Sequence, residues 1–377
     1  MKIVAKTLAG LEEILAKEIA EIGGKDIEIL NRAVRYSGDK SIMYESNYAL
    51  RTALRILLPV FTFDFRTQEE YYNKLYKHDW FQYSNERTTL AVDASLHSQI
   101  FTHSKYVALK TKDAVVDFFR KKTGKRPDVD IKNPGFRVNV HIYNSQATIS
   151  LDSSNISLHK RGYKLANGEA PLSEVLAAGL VLLSGWDKKK KLVDPMCGSG
   201  TIAMEAFLIA SNTAPQFRKS NFGFQKWKDY DDSLFRDIKT KYKNLIDYKN
   251  IDISGFDLSE EALENCQQNI NGSPVFDKIN FSKKNFFHLE GEENTHLIMN
   301  PPYDLRLKSR DIDEFYSDIG DTLKTNWQNC EAWIFSGNLQ AIKNVGLRPS
   351  KKISLYNGPL PSKFHKYELY GGSRKNK

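Results

Sequence analysis

The chain has 377 residues, 41% hydrophobic and 27% charged, an ordinary globular composition with room for two or three domains. Lys and Arg (55) outnumber Asp and Glu (46), for a formal charge of +9 that favours a polyanionic partner. Three scattered cysteines (Cys197, Cys266, Cys330) give no disulfide framework or zinc site, and no metal is expected; with no signal-like start or membrane-length apolar run, the expectation is a cytoplasmic protein without membrane contact.

In chain order, LAGLEEILAKEIAEIGG (8–24) predicts an amphipathic helix. Leu8, Leu11, Ile14, Leu15 and Ile19 share one face, and the two glycines stop it. A second helix is predicted within 107–130, closed by Thr123-Gly124 and then Arg126-Pro127, and strand-like runs follow at 136–144 and 147–154. Lys105, Lys110, Lys112, Arg120, Lys121 and Lys122 lie on or beside that helix, as a phosphate-facing surface or as a solvated basic face. From Ser173 onward strands and helices alternate, which implies a parallel sheet. Its strands are predicted at 191–194, 252–257, 279–283, 296–299 and 331–336, and KISLYNG and KFHKYELY close the chain as an antiparallel hairpin. The Lys188–Lys191 block reads as a solvated turn. Arg218, Phe222, Phe224 and Trp227 fall in a long insertion between the first two of these strands, either to stack on unpaired bases or to form a satellite core.

Chemistry concentrates at the predicted strand ends. DPMCGSGT, from Asp194 through Pro195, Met196, Cys197, Gly198, Ser199 and Gly200 to Thr201, is a Gly-rich turn from strand to helix. It lets backbone approach a ligand and leaves amide donors at the helix start. It is neither a P-loop nor the six-residue dinucleotide fingerprint. Asp194 is placed to face an ammonium. Asp257, followed by Leu258, ends the next strand and is placed to accept two ribose hydroxyls; capping of the helix from Glu260 is the other reading. Ammonium plus ribose hydroxyls is the polar outline of S-adenosylmethionine.

HLIMNPPYDL (296–305) ends an apolar strand in Asn300-Pro301-Pro302-Tyr303. Two prolines fix φ and remove two donors, leaving a rigid corner with free carbonyls. The Asn300 side-chain oxygen and the Pro301 carbonyl can each accept one N–H of an NH₂ group, and Tyr303 offers a ring face. A Pro-rich strand exit with no chemistry is the plainer alternative.

DPMCGSGT, then GFDLS, then NPPY, in this order, resembles the Rossmann-like methyltransferases that modify exocyclic amines of nucleobases. That resemblance implies a class I methyltransferase domain, a seven-stranded mixed sheet, and S-adenosylmethionine as cofactor. It also implies that Asn285 and Phe286 lie beside the cofactor's adenine, where relatives commonly carry Asp at the first position, and that Pro171 and Leu172 cover its methionine end. Upstream, HSKYVALKTKDAVVDFF and ISLDSSNISLHKRGYK resemble a THUMP RNA-binding domain, preceded by a ferredoxin-like α+β domain. The resemblance implies RNA contacts at Lys105, Lys110, Lys112, Arg161 and Tyr163. The expected domains are 1–60 (ferredoxin-like), 61–155 (THUMP) and 156–377 (methyltransferase). A THUMP module beside NPPY resembles the guanine-N2 RNA methyltransferases, most of all the bacterial type acting on 23S ribosomal RNA. A tRNA guanine-N2 enzyme, an adenine-N6 DNA methylase and a non-catalytic RNA-binding assembly factor are the rival readings.

Overall fold

The computed structural model describes residues 1–165, 172–303 and 311–371. The chain divides into two compact units, and neither is a continuous stretch. The first comprises Met1–Thr7, Ala16–Leu158 and Lys219–Thr240; the second comprises Leu8–Leu15, His159–Arg218 and Lys241–Lys377.

The first unit is built on β1 (Lys2–Lys6), β2 (Lys25–Leu30), β3 (Ala33–Ser37), β4 (Arg55–Asp64), β5 (Leu90–His97), β6 (Phe136–Tyr143) and β7 (Gln146–Asp152). They form one sheet in the order β2-β3-β1-β4-β7-β6-β5. The chain's first four helices are α1 (Glu12–Glu21), α2 (Lys40–Ala49), α3 (Gln68–Lys77) and α4 (Ser104–Thr123). The ten-residue β4 joins what the sequence suggests are two modules. It pairs with β1 through Arg55 to Leu57, and with β7 from Leu57 to Asp64. Its register shifts between Pro59 and Phe61, where proline cannot donate to the ladder. Helix α4 ends at Thr123, at the expected Thr-Gly stop, where Gly124 takes φ +74° and closes the last turn. Val107, Val115, Phe118 and Phe119 on its inner face join a core with Trp80, Phe136 and Val138.

The aromatic insertion resolves as a satellite core within this unit. Phe222 and Phe224 are fully buried, and the Phe224 ring stacks on Tyr44 at 4.2 Å. Base stacking by these two rings is therefore ruled out by burial. Trp227 packs half-buried against the main core, while Arg218 is exposed. Lys226 fastens the segment by donating to Asn133 Oδ1 at 2.7 Å and the Pro134 carbonyl at 2.9 Å. The segment 219–240 thus packs with the N-terminal unit, although it interrupts the stretch expected to form the methyltransferase domain.

The second unit carries α5 (Glu174–Ser184), β8 (Leu192–Asp194), α6 (Thr201–Ala210), β9 (Ile253–Asp257), α8 (Glu260–Gly272), β10 (Asn280–Lys283), β11 (His296–Met299), α9 (Ile312–Asn326), β12 (Glu331–Ser336), β13 (Lys351–Asn357) and β14 (Leu360–Glu368). Helix α7 (Asp232–Asn244) precedes β9 and crosses the division between the units. The sheet order is β10-β9-β8-β11-β12-β14-β13, with β14 alone running against the others and pairing antiparallel with both β12 and β13. This is the expected seven-stranded mixed sheet, and the five strands before the C-terminal hairpin lie within a residue of their predicted bounds. The short strands LVD, ISGFD and HLIM are nearly all buried, as fits a sheet covered on both faces. Helix α6 is buried on every side from Thr201 to Ile209, so the Gly-rich turn before it starts from a fixed element.

Candidate active site

Strand neighbours run outward in opposite directions from the β8/β11 pair, and the carboxyl ends there open into the crevice typical of doubly wound sheets. A cleft of about 550 Å³ occupies that position. Asp194 ends β8, Asp257 ends β9, Asn285 follows β10, and Asn300 follows β11; all four border this cleft. The parallel register therefore gathers residues that lie more than a hundred positions apart in the chain.

Pro195, Met196, Cys197, Gly198, Ser199 and Thr201 line the cleft with Asp194. Gly200 works differently. It caps α6 at φ +78°, and a Cβ there would meet Phe281 Cζ at 2.7 Å. The turn is tied to β9 by Cys197 N–H to the Phe256 carbonyl (2.9 Å) and by Gly198 N–H to Asp257 Oδ2 (2.9 Å).

The two acids differ in kind. Asp194 is 1% exposed, and its Oδ1 has no hydrogen-bond partner. Desolvation holds its carboxyl well above the usual range; the Met196 N–H works against this and Asp257 adds to it. A buried carboxylate with an unused oxygen suits a cation brought by a ligand. Asp257 is half-buried, with one oxygen accepting Gly198 N–H and the other Ser259 N–H at 2.9 Å. Those bonds aim both oxygens and leave each a lone pair for a hydroxyl. The cap of α8 is Ser259, which accepts from Ala262 N–H, so capping by Asp257 is overturned. An orphan buried acid and an aimed acid on neighbouring strands fit the ammonium and ribose of S-adenosylmethionine.

Asn285 lines the same cleft, with Oδ1 accepting Phe287 N–H at 3.1 Å, and Phe286 is buried beside it. Leu258 is 56% exposed at the cleft edge. Leu172 also lines the cleft, its carbonyl accepting from Lys164 Nζ at 3.0 Å; Pro171 lies outside the described residues.

All of Asn300, Pro301, Pro302 and Tyr303 line the cleft. The Tyr303 hydroxyl donates to Asn300 Oδ1, which orients the amide and leaves its oxygen one further lone pair. Burial raises the Tyr303 phenol above its ordinary range, so it stays a donor. Behind the corner, Tyr316 on α9 donates to the Pro302 carbonyl at 3.3 Å and shares a 2.7 Å hydrogen bond with Ser336. Asn338 Nδ2 donates to the Tyr303 carbonyl at 3.0 Å. These supports were not anticipated from the sequence, nor were the lining residues Lys284, Phe287, Phe315 and Asn357. Asn338 had one available signal: it stands two residues past a predicted strand, at the same sheet edge as the other site residues.

Two expected RNA contacts are corrected. Arg161 and Tyr163 are fully buried. Arg161 Nε pairs with Glu205 Oε1 on α6 at 3.3 Å, and the Tyr163 hydroxyl donates to the same oxygen at 2.8 Å. They brace the helix behind the Gly-rich turn and cannot touch a phosphate. Lys105 is exposed, Lys110 sits over the Tyr72 and Tyr106 rings at 5.6 and 5.7 Å, and Lys112 pairs with Asp113. Among the described residues no cluster of His, Cys, Asp or Glu is placed to hold a metal, and no helix is long and apolar enough to cross a membrane.

The RMKL-like methyltransferase domain model matches residues 161–366, with a THUMP domain at 65–152 and the RlmL ferredoxin-like domain at 2–57. The chain belongs to the RMKL-like methyltransferase family. Over 370 residues this methyltransferase is 35% identical to "Putative RNA methyltransferase slr0064" of Synechocystis sp., covering 97% of this chain and 96% of that one. It is 32% identical to the ribosomal RNA large subunit methyltransferase K/L of Syntrophotalea carbinolica, covering 98% of this chain but 54% of the relative. The chain thus spans about half the length of that second protein. Its fold superposes on SMU.472, crystallised with S-adenosylhomocysteine, with a TM-score of 0.86 at 30% identity, covering 99% and 98% of the two chains.

Proposed function

We propose that this methyltransferase transfers a methyl group from S-adenosylmethionine to the exocyclic N2 amine of a guanine in RNA, that the RNA is 23S ribosomal RNA, and that the work is done in the cytoplasm. The observation that carries the reading is that Asn300 and Pro301 border the same cleft as Asp194 and Asp257. Base acceptors and cofactor acids thus meet in one enclosure.

When bound, the cofactor supplies an electrophilic methyl on sulfonium. Asp194 holds the ammonium, Asp257 the ribose hydroxyls, and Asn285 with Phe286 the adenine. An amine conjugated to a purine is a poor nucleophile, since its lone pair is spread into the ring. Asn300 Oδ1 and the Pro301 carbonyl accept its two N–H bonds, which turns the lone pair outward and stabilises positive charge developing on nitrogen. Tyr303 stacks on the base. No strong base is required, because the amine proton becomes acidic only after alkylation. Mass spectrometry of digested rRNA and tRNA from a deletion strain tests the assignment. Loss of N2-methylguanine from 23S rRNA supports it; loss from tRNA alone, or of N6-methyladenine from DNA, hands the reading to a rival.

Asp257→Ala is expected to weaken cofactor binding by about 1–3 kcal/mol, the scale of lost charge-assisted hydrogen bonds. Calorimetry reads this directly, and unchanged affinity would mean that Asp257 serves only the Gly198 turn. Asp194 gives a pH dependence of fixed sign. Burial raises its free-state pKa, and an ammonium neighbour lowers it again. Affinity should therefore be fullest above the raised pKa and fall as pH drops through it, with a proton released on binding below it. Calorimetry in buffers of differing ionisation enthalpy should detect that proton in the wild type and not in Asp194→Asn.

A further inference from the structure

Away from the cleft, the N-terminal unit has a second cavity of about 500 Å³, between α3, the turn after it and the C-terminal half of α4. Tyr76, Phe81 and Phe118 form its apolar lining, and Lys77, Lys121 and Lys122 its charged border, with Asp79 beside them. We propose that this groove holds an unpaired base of the RNA by stacking, with flanking phosphates on Lys77, Lys121, Lys122 and Lys228. The proposal rests on the RNA-methyltransferase reading and names where that RNA is gripped.

The floor is rigid. Phe81 packs against Phe118 and Phe119 with ring centroids at 5.4 and 5.2 Å, and Tyr76 lies nearly parallel to Tyr72 at 6.0 Å. Phe81 and Tyr76 are half-buried, so part of each ring stays open to a ligand. Lys121 Nζ stands 5.7 Å from the Tyr76 centroid, which places a cation beside that face. The satellite segment contributes as well: Lys228 Nζ donates to the Phe81 carbonyl at 2.8 Å, adding a fourth ammonium.

Charge decides the occupant. No ion pair among the described residues occupies Lys77, Lys121, Lys122 or Lys228, whereas Lys112 is held by Asp113 and Arg120 by Asp117. The Asp79 carboxylate is engaged as a cap, accepting Phe81 N–H at 3.1 Å. Four ammonium groups without a carboxylate partner among the described residues, set around aromatic rings, match a single strand, whose bases offer π-faces and whose backbone is anionic. An apolar peptide would leave those charges without partners.

Fluorescence anisotropy on the full-length protein tests this, using a short labelled single-stranded RNA and the same sequence as a duplex. Tyr76→Ala is expected to weaken single-strand binding by roughly 5- to 150-fold and leave duplex binding nearly unchanged. Lys121→Glu with Lys122→Glu, both exposed, should weaken it too and flatten the salt dependence. Cofactor affinity should stay at the wild-type value in both, and both should remain folded, with a modest fall in melting temperature confined to Tyr76→Ala, whose ring packs against the core. Wild-type single-strand binding by these variants would overturn the proposal, and so would equal losses for single strand and duplex, which mark a bare basic patch. If the groove fails while wild-type protein still methylates rRNA, only the groove is lost; the function falls on the rRNA digest alone.

Discussion

Asn300→Ala should stop methyl transfer, lowering the single-turnover rate by about 10²–10³ or more, while cofactor affinity stays within a few-fold of wild type. The scale is that of removing one preorganised polar group aimed at developing charge. Asn300 enters the cleft from the end of β11, and its amide oxygen is bonded to Tyr303, whereas the Asp257 oxygens are bonded to Gly198 and Ser259. Its oxygen is already oriented by the Tyr303 hydroxyl, so truncation loses a placed acceptor and also frees the phenol to turn. Single-turnover methylation of rRNA, paired with calorimetry on S-adenosylmethionine, separates the two effects. Near-normal turnover would refute the base-side assignment of NPPY. Equal loss of turnover and cofactor affinity would instead mark Asn300 as part of the cofactor pocket.

Glu205→Ala should destabilise the methyltransferase unit by about 3–5 kcal/mol, the usual cost of breaking a buried ion pair by removing one partner. Arg161, Glu205 and Tyr163 are all fully buried, and the Glu205 carboxylate serves both of the others. Removing it takes the carboxylate away from a buried guanidinium and the acceptor away from a buried phenol. Denaturant unfolding followed by tryptophan fluorescence measures the shift. Glu205→Gln, which keeps an acceptor for Tyr163 and cancels the charge, should fall between the two. A change below about 1 kcal/mol would show that the interior around Arg161 is wet and screened.

What could be read from the sequence followed short-range rules. Asp194, Asp257 and Asn300 could be placed at one crevice because each ends an apolar run, and a parallel sheet brings such ends together. The Gly-rich turn announced itself through glycines that must adopt positive φ, as Gly198 and Gly200 do. The supports of the NPPY corner did not announce themselves. Tyr316 reads as one more apolar position of a helix, and only the fold brings its hydroxyl to the Pro302 carbonyl. Arg161 and Tyr163 misled for the opposite reason. A basic and an aromatic residue beside glycine look like a nucleic-acid contact until a buried acid forty-odd residues on, Glu205, supplies their partner. The aromatic density around Phe222 and Phe224 did offer the satellite core as a reading, but not its partner, because Tyr44, which stacks on Phe224, lies far upstream.

The interleaving of the two units has a consequence for synthesis. Translation proceeds from the N-terminus at roughly 5–20 residues per second, and domains commonly fold as they emerge. The first unit cannot finish in that order, since its last segment ends at Thr240. By then the Gly-rich turn at 194–201 has already been made, while β9 and β11, the strands that carry Asp257 and lead into Asn300, have not. Until Phe224 arrives, the Tyr44 ring lacks the partner that stacks on it, and an apolar seat stands open on the nascent chain. A ribosome stalled before residue 222 would therefore display a nearly complete sheet with an unfilled socket, a species for chaperones to shelter and proteases to find.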